Sequence, residues 1–148
     1  MKTIYLDMDG TFYNLYGING WLEELLNESK NIFTKGQCLY NINELKNALA
    51  KVKEKYNLGI ITWTPRKCRK TYIGNTAKQK YKWLRQNELI NYFNEIKIVS
   101  YGTEKYTLMG ENDILIDDDK RNIEKCNEYG KNGILTNGKD LIKILENI

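Results

Sequence analysis

The chain has 148 residues, 41% of them hydrophobic and 28% charged, with a formal net charge of +4, which is enough for one globular domain with a layered core and too little for a second. It contains no histidine, so the usual general base, the usual zinc ligand and every Ser-His or Cys-His nucleophile pair are excluded, and acid–base chemistry falls to carboxylates, Lys, Tyr or Cys. No run approaches the ~20 apolar residues of a membrane span, Met1-Lys2 leads straight into an apolar run instead of a cleavable leader, and Cys38, Cys68 and Cys126 are an odd number at wide spacings; a soluble, cytoplasmic protein with reduced thiols is expected.

The first element is a strand, Ile4-Tyr5-Leu6, that runs into Asp7-Met8-Asp9-Gly10-Thr11. Side chains two apart on a strand share a face, so Asp7 and Asp9 project together if the strand continues and diverge if it loosens at Met8. Gly10 permits the bend and lets an anion approach backbone N–H groups, and Thr11 adds a hydroxyl. Taken alone, Asp-Gly is also a common turn, and a plain turn remains an alternative.

An aromatic-rich segment follows, with Phe12, Tyr13, Leu15 and Tyr16 ahead of a short helix whose apolar spacing falls on Trp21, Leu22, Leu25 and Leu26. Its aromatic residues either line a pocket or pack the segment on the core. Asn43 to Tyr56 reads as an amphipathic helix with Leu45, Leu49, Val52 and Tyr56 on one stripe and Asn43 as N-cap. Leu58 to Thr62 is an unbroken apolar run, hence a strand buried on both faces, ended by Trp63-Thr64-Pro65. From Asn57 to Asn87 there is no acidic residue, while Arg66, Lys67, Arg69, Lys70, Lys78, Lys80, Lys82 and Arg85 are cationic. That stretch is either a solvated helix face or a field that gathers an anionic substrate.

A helix over Thr76–Gln86, a packed turn at Leu89–Phe93 and a strand over Glu95–Ser100 come next. Then follow a strand over Asp113–Asp117, a helix over Asn122–Tyr129 closed by Gly130, a strand over Gly133–Thr136 and a helix over Asp140–Glu146. Strands alternating with helices imply an α/β fold, a three-layer doubly wound parallel sheet.

The second acidic cluster sits where Ile114-Leu115-Ile116 meets Asp117-Asp118-Asp119. Ligands of such sheets bind beyond the carboxyl ends of the strands, near the point where strand order reverses, which brings Asp7, Asp9, Thr62 and Asp117-Asp118 to one edge. Clustered carboxylates call for a cation, and with neither histidine nor paired thiolates available the ion is a hard one, Mg²⁺ first.

These residues resemble the haloacid dehalogenase (HAD) superfamily of phosphohydrolases: Asp7-x-Asp9-Gly10-Thr11 after a first strand, Thr62 ending a second, Lys105, and the paired acids Asp117-Asp118, in that order. Leu115-Ile116-Asp117-Asp118, Gly102-Thr103-Glu104-Lys105 and Lys80-Tyr81-Lys82-Trp83 are similar to its 5′-deoxyribonucleotidase branch. The resemblance implies a single domain over residues 1–148 with a small cap insert at about 12–40. It implies Asp7 as nucleophile and Asp9 as the acid and base. Mg²⁺ is expected on Asp7, the Asp9 carbonyl and Asp118, with Asp117 behind them. Phosphate contacts are expected from Thr62, Lys105, Gly10 and Thr11. Thr64 competes with Thr62, which is preferred because it directly ends the apolar run. Tyr13, Tyr16, Trp63, Thr64 and Arg66 are the candidates for the substrate pocket, and Asp119 is expected to cap the following helix.

The expected activity is that of a Mg²⁺-dependent phosphomonoesterase with an aspartyl-phosphate intermediate and a nucleoside monophosphate substrate. Two alternatives stand beside it. One is a phosphatase acting on nucleic-acid ends, which the basic stretch would suit, and the other is a non-catalytic module, which would not need Asp9.

Overall fold

The structure, a computed structural model, describes residues 1–148. In chain order the elements are β1 (Thr3–Leu6), α1 (Trp21–Leu26), α2 (Ile42–Lys53), β2 (Asn57–Trp63), α3 (Lys70–Gln86), β3 (Glu95–Val99), β4 (Ile114–Asp117), α4 (Lys120–Glu128), β5 (Asn132–Leu135) and α5 (Leu141–Glu146), with single 3₁₀ turns at Ile90–Tyr92 and Lys105–Leu108. The five strands form one parallel sheet in the order β3-β2-β1-β4-β5. From β1 the chain builds outward through β2 and β3, then crosses to the other side of β1 for β4 and β5. The order therefore reverses between β1 and β4, where Leu6 pairs with Ile116.

Period-two alternation in the central strands sorts their side chains between two cores. Ile4, Leu6, Leu58, Ile60, Ile114 and Ile116 face a large cluster covered by α2, α3 and α5, which contribute Leu45, Leu49, Trp83, Leu84, Leu141 and Leu145 among others. Tyr5, Ile61 and Leu115 face a smaller cluster with Ile123 and Cys126 of α4 and with Met109. Both faces of the sheet are covered, and the α4 side is much the thinner of the two helical layers. No helix is long and apolar enough to cross a membrane.

Several boundaries differ from the sequence reading. The side chain of Asn41, not Asn43, caps α2 by accepting the Asn43 and Glu44 N–H groups, each at 3.1 Å, so the helix begins at Ile42. Helix α3 begins at Lys70 instead of Thr76; buried Tyr72 extends the stripe of Thr76, Lys80 and Trp83 by one turn, and the cationic and glycine-containing run around it hid the period. Trp63 continues β2 instead of ending it. Asp119 caps α4 as expected, accepting the Arg121 N–H at 2.9 Å.

The insert after β1 is mostly anchored. Phe12, Tyr13, Leu15, Ile32 and Phe33 are buried in the large core, with Phe12 and Tyr13 against Trp83 at ring-centroid distances of 6.1 and 5.0 Å. Helix α1 is the insert's least buried part, resting on the core through Trp21 and Leu25 but with no fully buried residue, Leu22 53% exposed and Leu26 75% exposed.

Candidate active site

The floor of the site begins where β1 stops. The Asp7 N–H makes the last bond to the neighbouring strand, to the Ile116 carbonyl at 3.0 Å, and the chain then winds around the Met8 carbonyl, which accepts from Thr11, Phe12 and Tyr13 N–H groups at 3.0 Å each. Gly10 has φ 80°, and a Cβ there would collide with the Asp118 carboxylate and lie 2.8 Å from the Tyr16 ring, so any other residue would be strained in this turn. The expected anion cradle at Gly10 and Thr11 is corrected for their own N–H groups, which are already engaged. The Gly10 N–H donates to the Tyr13 carbonyl at 2.9 Å and the Thr11 N–H to the Met8 carbonyl at 3.0 Å, while the Thr11 hydroxyl is buried with no partner. The N–H groups left without a backbone acceptor are those of Met8 and Asp9.

Beside this loop, Asp7, Asp117 and Asp118 each direct a carboxylate oxygen to one point, all within 4.8 Å of one another. The three are not equivalent. Lys105 Nζ donates to Asp7 Oδ1 at 2.7 Å and Asp117 Oδ2 at 2.8 Å, and Asp117 also accepts from Asn122 Nδ2 at 2.9 Å and the Asp119 N–H at 2.8 Å. Both oxygens of Asp117 are thus satisfied. Asp118 accepts no hydrogen bond from another side chain, and burial, then the Asp7 and Asp117 charges, push its carboxyl up to about 8. Burial, reinforced by Asp7, also raises Asp117, against the pull of Lys105. For Lys105 itself, 3% exposed, burial favours the neutral amine, but the two carboxylates outweigh it and hold the ammonium above its ordinary range. When all three acids are ionised they exceed the one ammonium by two negative charges, all on oxygen donors, and such a cluster could hold a metal ion.

The Asp9 carboxylate lies apart from this cluster, held by a residue that the sequence reading counted as part of a basic surface. Lys80, 1% exposed in the middle of α3, uses its ammonium to bond Asp9 Oδ2 at 3.0 Å, Thr62 Oγ1 at 2.8 Å and the Trp63 carbonyl at 2.7 Å, with Phe33 packed 4.7 Å from it. Asp9 Oδ1 remains buried with no partner. The signal for Lys80 was present in the sequence: it stands four residues after Thr76 and three before Trp83, on the buried stripe of its helix.

Above the acids opens a cavity of about 580 Å³. Asp7, Asp9, Lys105, Asp117 and Asp118 line it, as do Trp63, Thr64, Arg66, Tyr16 and Tyr101 and the apolar residues of α1. Thr62 is fully buried beneath it, its hydroxyl accepting from Lys80, and the Thr64 hydroxyl is buried as well but has no partner. Trp63 is fixed by its Nε1 donating to the Thr103 carbonyl at 2.9 Å and lies 4.8 Å from the Tyr101 ring. Tyr13 does not reach the cavity. It is 1% exposed, and its hydroxyl donates to the Ile32 carbonyl at 2.5 Å and accepts the Gly36 N–H at 2.9 Å, so it closes the insert onto the core.

No protein-family model matches the chain, and no curated protein matches it. What the site can do follows from its own donors, charges and space.

Proposed function

We propose that the chain is a Mg²⁺-dependent phosphomonoesterase of the HAD type, acting through an aspartyl-phosphate and taking a nucleoside monophosphate. The observation that supports it most is the division of labour among its acids at the strand reversal. Asp7, Asp117 and Asp118 converge on a cation-sized point bridged by Lys105, while Asp9, two residues on, is drawn to Lys80 and kept out of the cluster. A site that only bound a cation would have no use for the separated carboxylate.

In this reading the Asp7 oxygen not bonded to Lys105 forms a bond to phosphorus as the bond from phosphorus to the ester oxygen breaks. That oxygen takes a proton from Asp9 and departs as the alcohol. Water then attacks the phosphorus of the Asp7 ester while Asp9 accepts its proton; the bond between Asp7 and phosphorus breaks and inorganic phosphate is released. With Oδ2 engaged by Lys80, Asp9 exchanges these protons through Oδ1. The Met8 and Asp9 N–H groups and the Thr64 hydroxyl are the uncommitted donors for the phosphoryl oxygens, and Lys105 holds Asp7 in place. Mg²⁺ held by Asp7, Asp118 and the Asp9 carbonyl would supply neutralisation of the phosphoryl charge. A nucleoside suits the space: the cavity is within the range of small-ligand sites and has the flat faces of Trp63 and Tyr101 in its wall.

The test is phosphate release from a panel of phosphomonoesters in Mg²⁺ and in EDTA, with mass spectrometry of acid-quenched enzyme. A phosphoryl adduct on Asp7 and metal-dependent turnover are expected. Turnover that survives in an Asp7→Asn variant would end the covalent mechanism.

A further inference from the structure

Three cationic residues line the cavity, and their situations differ. Lys105 is buried and already bonded to Asp7 and Asp117. Arg66 and Lys67 are exposed and have no carboxylate partner. Neighbouring cations are tied down, Arg69 to Glu28 at 3.0 Å and Arg121 to Asp119 at 2.8 Å. Of the two free cations, Arg66 is also held in place. The Arg66 guanidinium lies 5.9 Å from the centre of the Tyr101 ring. Lys67 has φ 52°, a left-handed backbone that is costly for a residue with a Cβ and that turns the chain at the cavity mouth.

We propose that Arg66 and Lys67 form a subsite for a second anionic group on the substrate, a phosphate one sugar away from the phosphoryl group that meets Asp7. This rests on the phosphomonoesterase reading and narrows its substrate. The phosphoryl group at the floor has its own partners in Lys105, the uncommitted donors and the acidic cluster's cation. Arg66 is two residues beyond Thr64, so its backbone stands at most about 7 Å from that of Thr64, and it lines the same cavity with its guanidinium beside Tyr101. Between floor and mouth the wall is apolar and aromatic: of the large hydrophobic side chains exposed on this protein, Tyr16, Leu22, Leu26 and Tyr101 all line this one cavity. A substrate with an anion at each end and a flat apolar body between them matches that order of surfaces. A 3′,5′-bisphosphate and the phosphorylated end of a polynucleotide share this chemistry.

The experiment is calorimetric binding in Mg²⁺ to an Asp9→Asn protein, which loses the proton carrier but keeps an acceptor for Lys80 and the metal carboxylates. The probes are a deoxynucleoside 5′-monophosphate, the matching 3′,5′-bisphosphate and a 5′-phosphorylated trinucleotide. The bisphosphate should bind about tenfold or more tightly than the monophosphate, an advantage that shrinks as salt rises. It should vanish when Arg66→Gln and Lys67→Gln are combined on the same background. Equal affinities, or an advantage that survives both substitutions, would overturn the proposal. A trinucleotide that binds as tightly as the bisphosphate identifies a polynucleotide end as the source of the second phosphate, and a weaker one identifies a free bisphosphate. Wild-type protein assayed for phosphate release on the same probes reports separately on the chemistry: a retained binding preference with no release by any probe would sink the phosphatase reading and leave the subsite standing.

Discussion

Replacing Asp118 with asparagine should make the metal-free protein more stable and the metal-loaded protein no more stable than the metal-free one. In the fold Asp118 stands beside Asp7 and Asp117 with no side-chain donor of its own, and its carboxyl is raised to about 8 from an ordinary 3.8. An acid whose folded-state pKa is raised opposes folding as pH climbs past its unfolded value near 4, and the full penalty is present above the folded value near 8. At pH 7 roughly three units of the shift are in force, and at about 1.4 kcal/mol per unit that is an upper figure of about 4 kcal/mol. Asp118 is partly open to water and shares its repulsion with Asp117, so about half of that, roughly 2 kcal/mol, is the working expectation. For a chain of this size that corresponds to a rise in Tm of roughly 4–8 °C in EDTA. The gain should be smaller at pH 5 than at pH 8. Saturating Mg²⁺ should stabilise the wild type, by about 2.7 kcal/mol at a hundredfold excess over Kd, and leave the variant almost where it was. Scanning calorimetry of both proteins at pH 5 and 8, with and without Mg²⁺, checks all four quantities. A variant less stable than wild type in EDTA at pH 8, or one stabilised by Mg²⁺ as much as wild type, would refute the assignment of Asp118 as the open metal ligand.

Asp7→Asn should abolish turnover while leaving the circular dichroism spectrum and a cooperative melt intact, since the amide keeps the shape but loses the nucleophile; residual kcat above a hundredth of wild type would contradict its role. Lys80→Met should reduce kcat on an alkyl phosphate by about tenfold more than on a nitrophenyl phosphate, because it releases the carboxylate that serves poor leaving groups. Equal losses would mean that Lys80 is only structural. Gly10→Ala should cost about 1–3 kcal/mol in urea denaturation, combining a left-handed backbone with the collision against Asp118 and Tyr16; an unchanged midpoint would show that the turn can relax.

The strand ends were the most legible part of the chain. An apolar run that stops at an acid is visible without any structure, and two such ends in an alternating α/β pattern locate Asp7 and Asp117-Asp118 on one sheet edge. Lys105 was visible only through the resemblance, since a lysine in a loop carries no period. Lys80 was missed because charge was taken as a sign of exposure, although its helical spacing placed it among Thr76, Trp83 and Leu84. Tyr13 was misplaced for the converse reason, an aromatic near acids looking like a wall when its hydroxyl is in fact a clamp for Ile32 and Gly36. The Gly10 and Thr11 amides could not have been judged from residue type, because what engages them is the loop's closure around the Met8 and Tyr13 carbonyls. The helix starts at Ile42 and Lys70 were displaced because several asparagines compete as caps and a lysine-rich first turn has little apolar signal.

The way β1 ends also partitions motion within the site. The Asp7 amide is bonded to Ile116 in a strand flanked by parallel partners on both sides, so its hydrogen should exchange only through opening of the whole sheet. The next two amides, Met8 and Asp9, have no backbone acceptor and should exchange far faster in the absence of a ligand. A step in exchange rate is therefore expected between Asp7 and Met8, and an anion bound to the Met8 and Asp9 amides should erase it by slowing the second side alone. In the proposed mechanism the nucleophile would stand on backbone tied to the central sheet, directly beside two amides with no backbone acceptor.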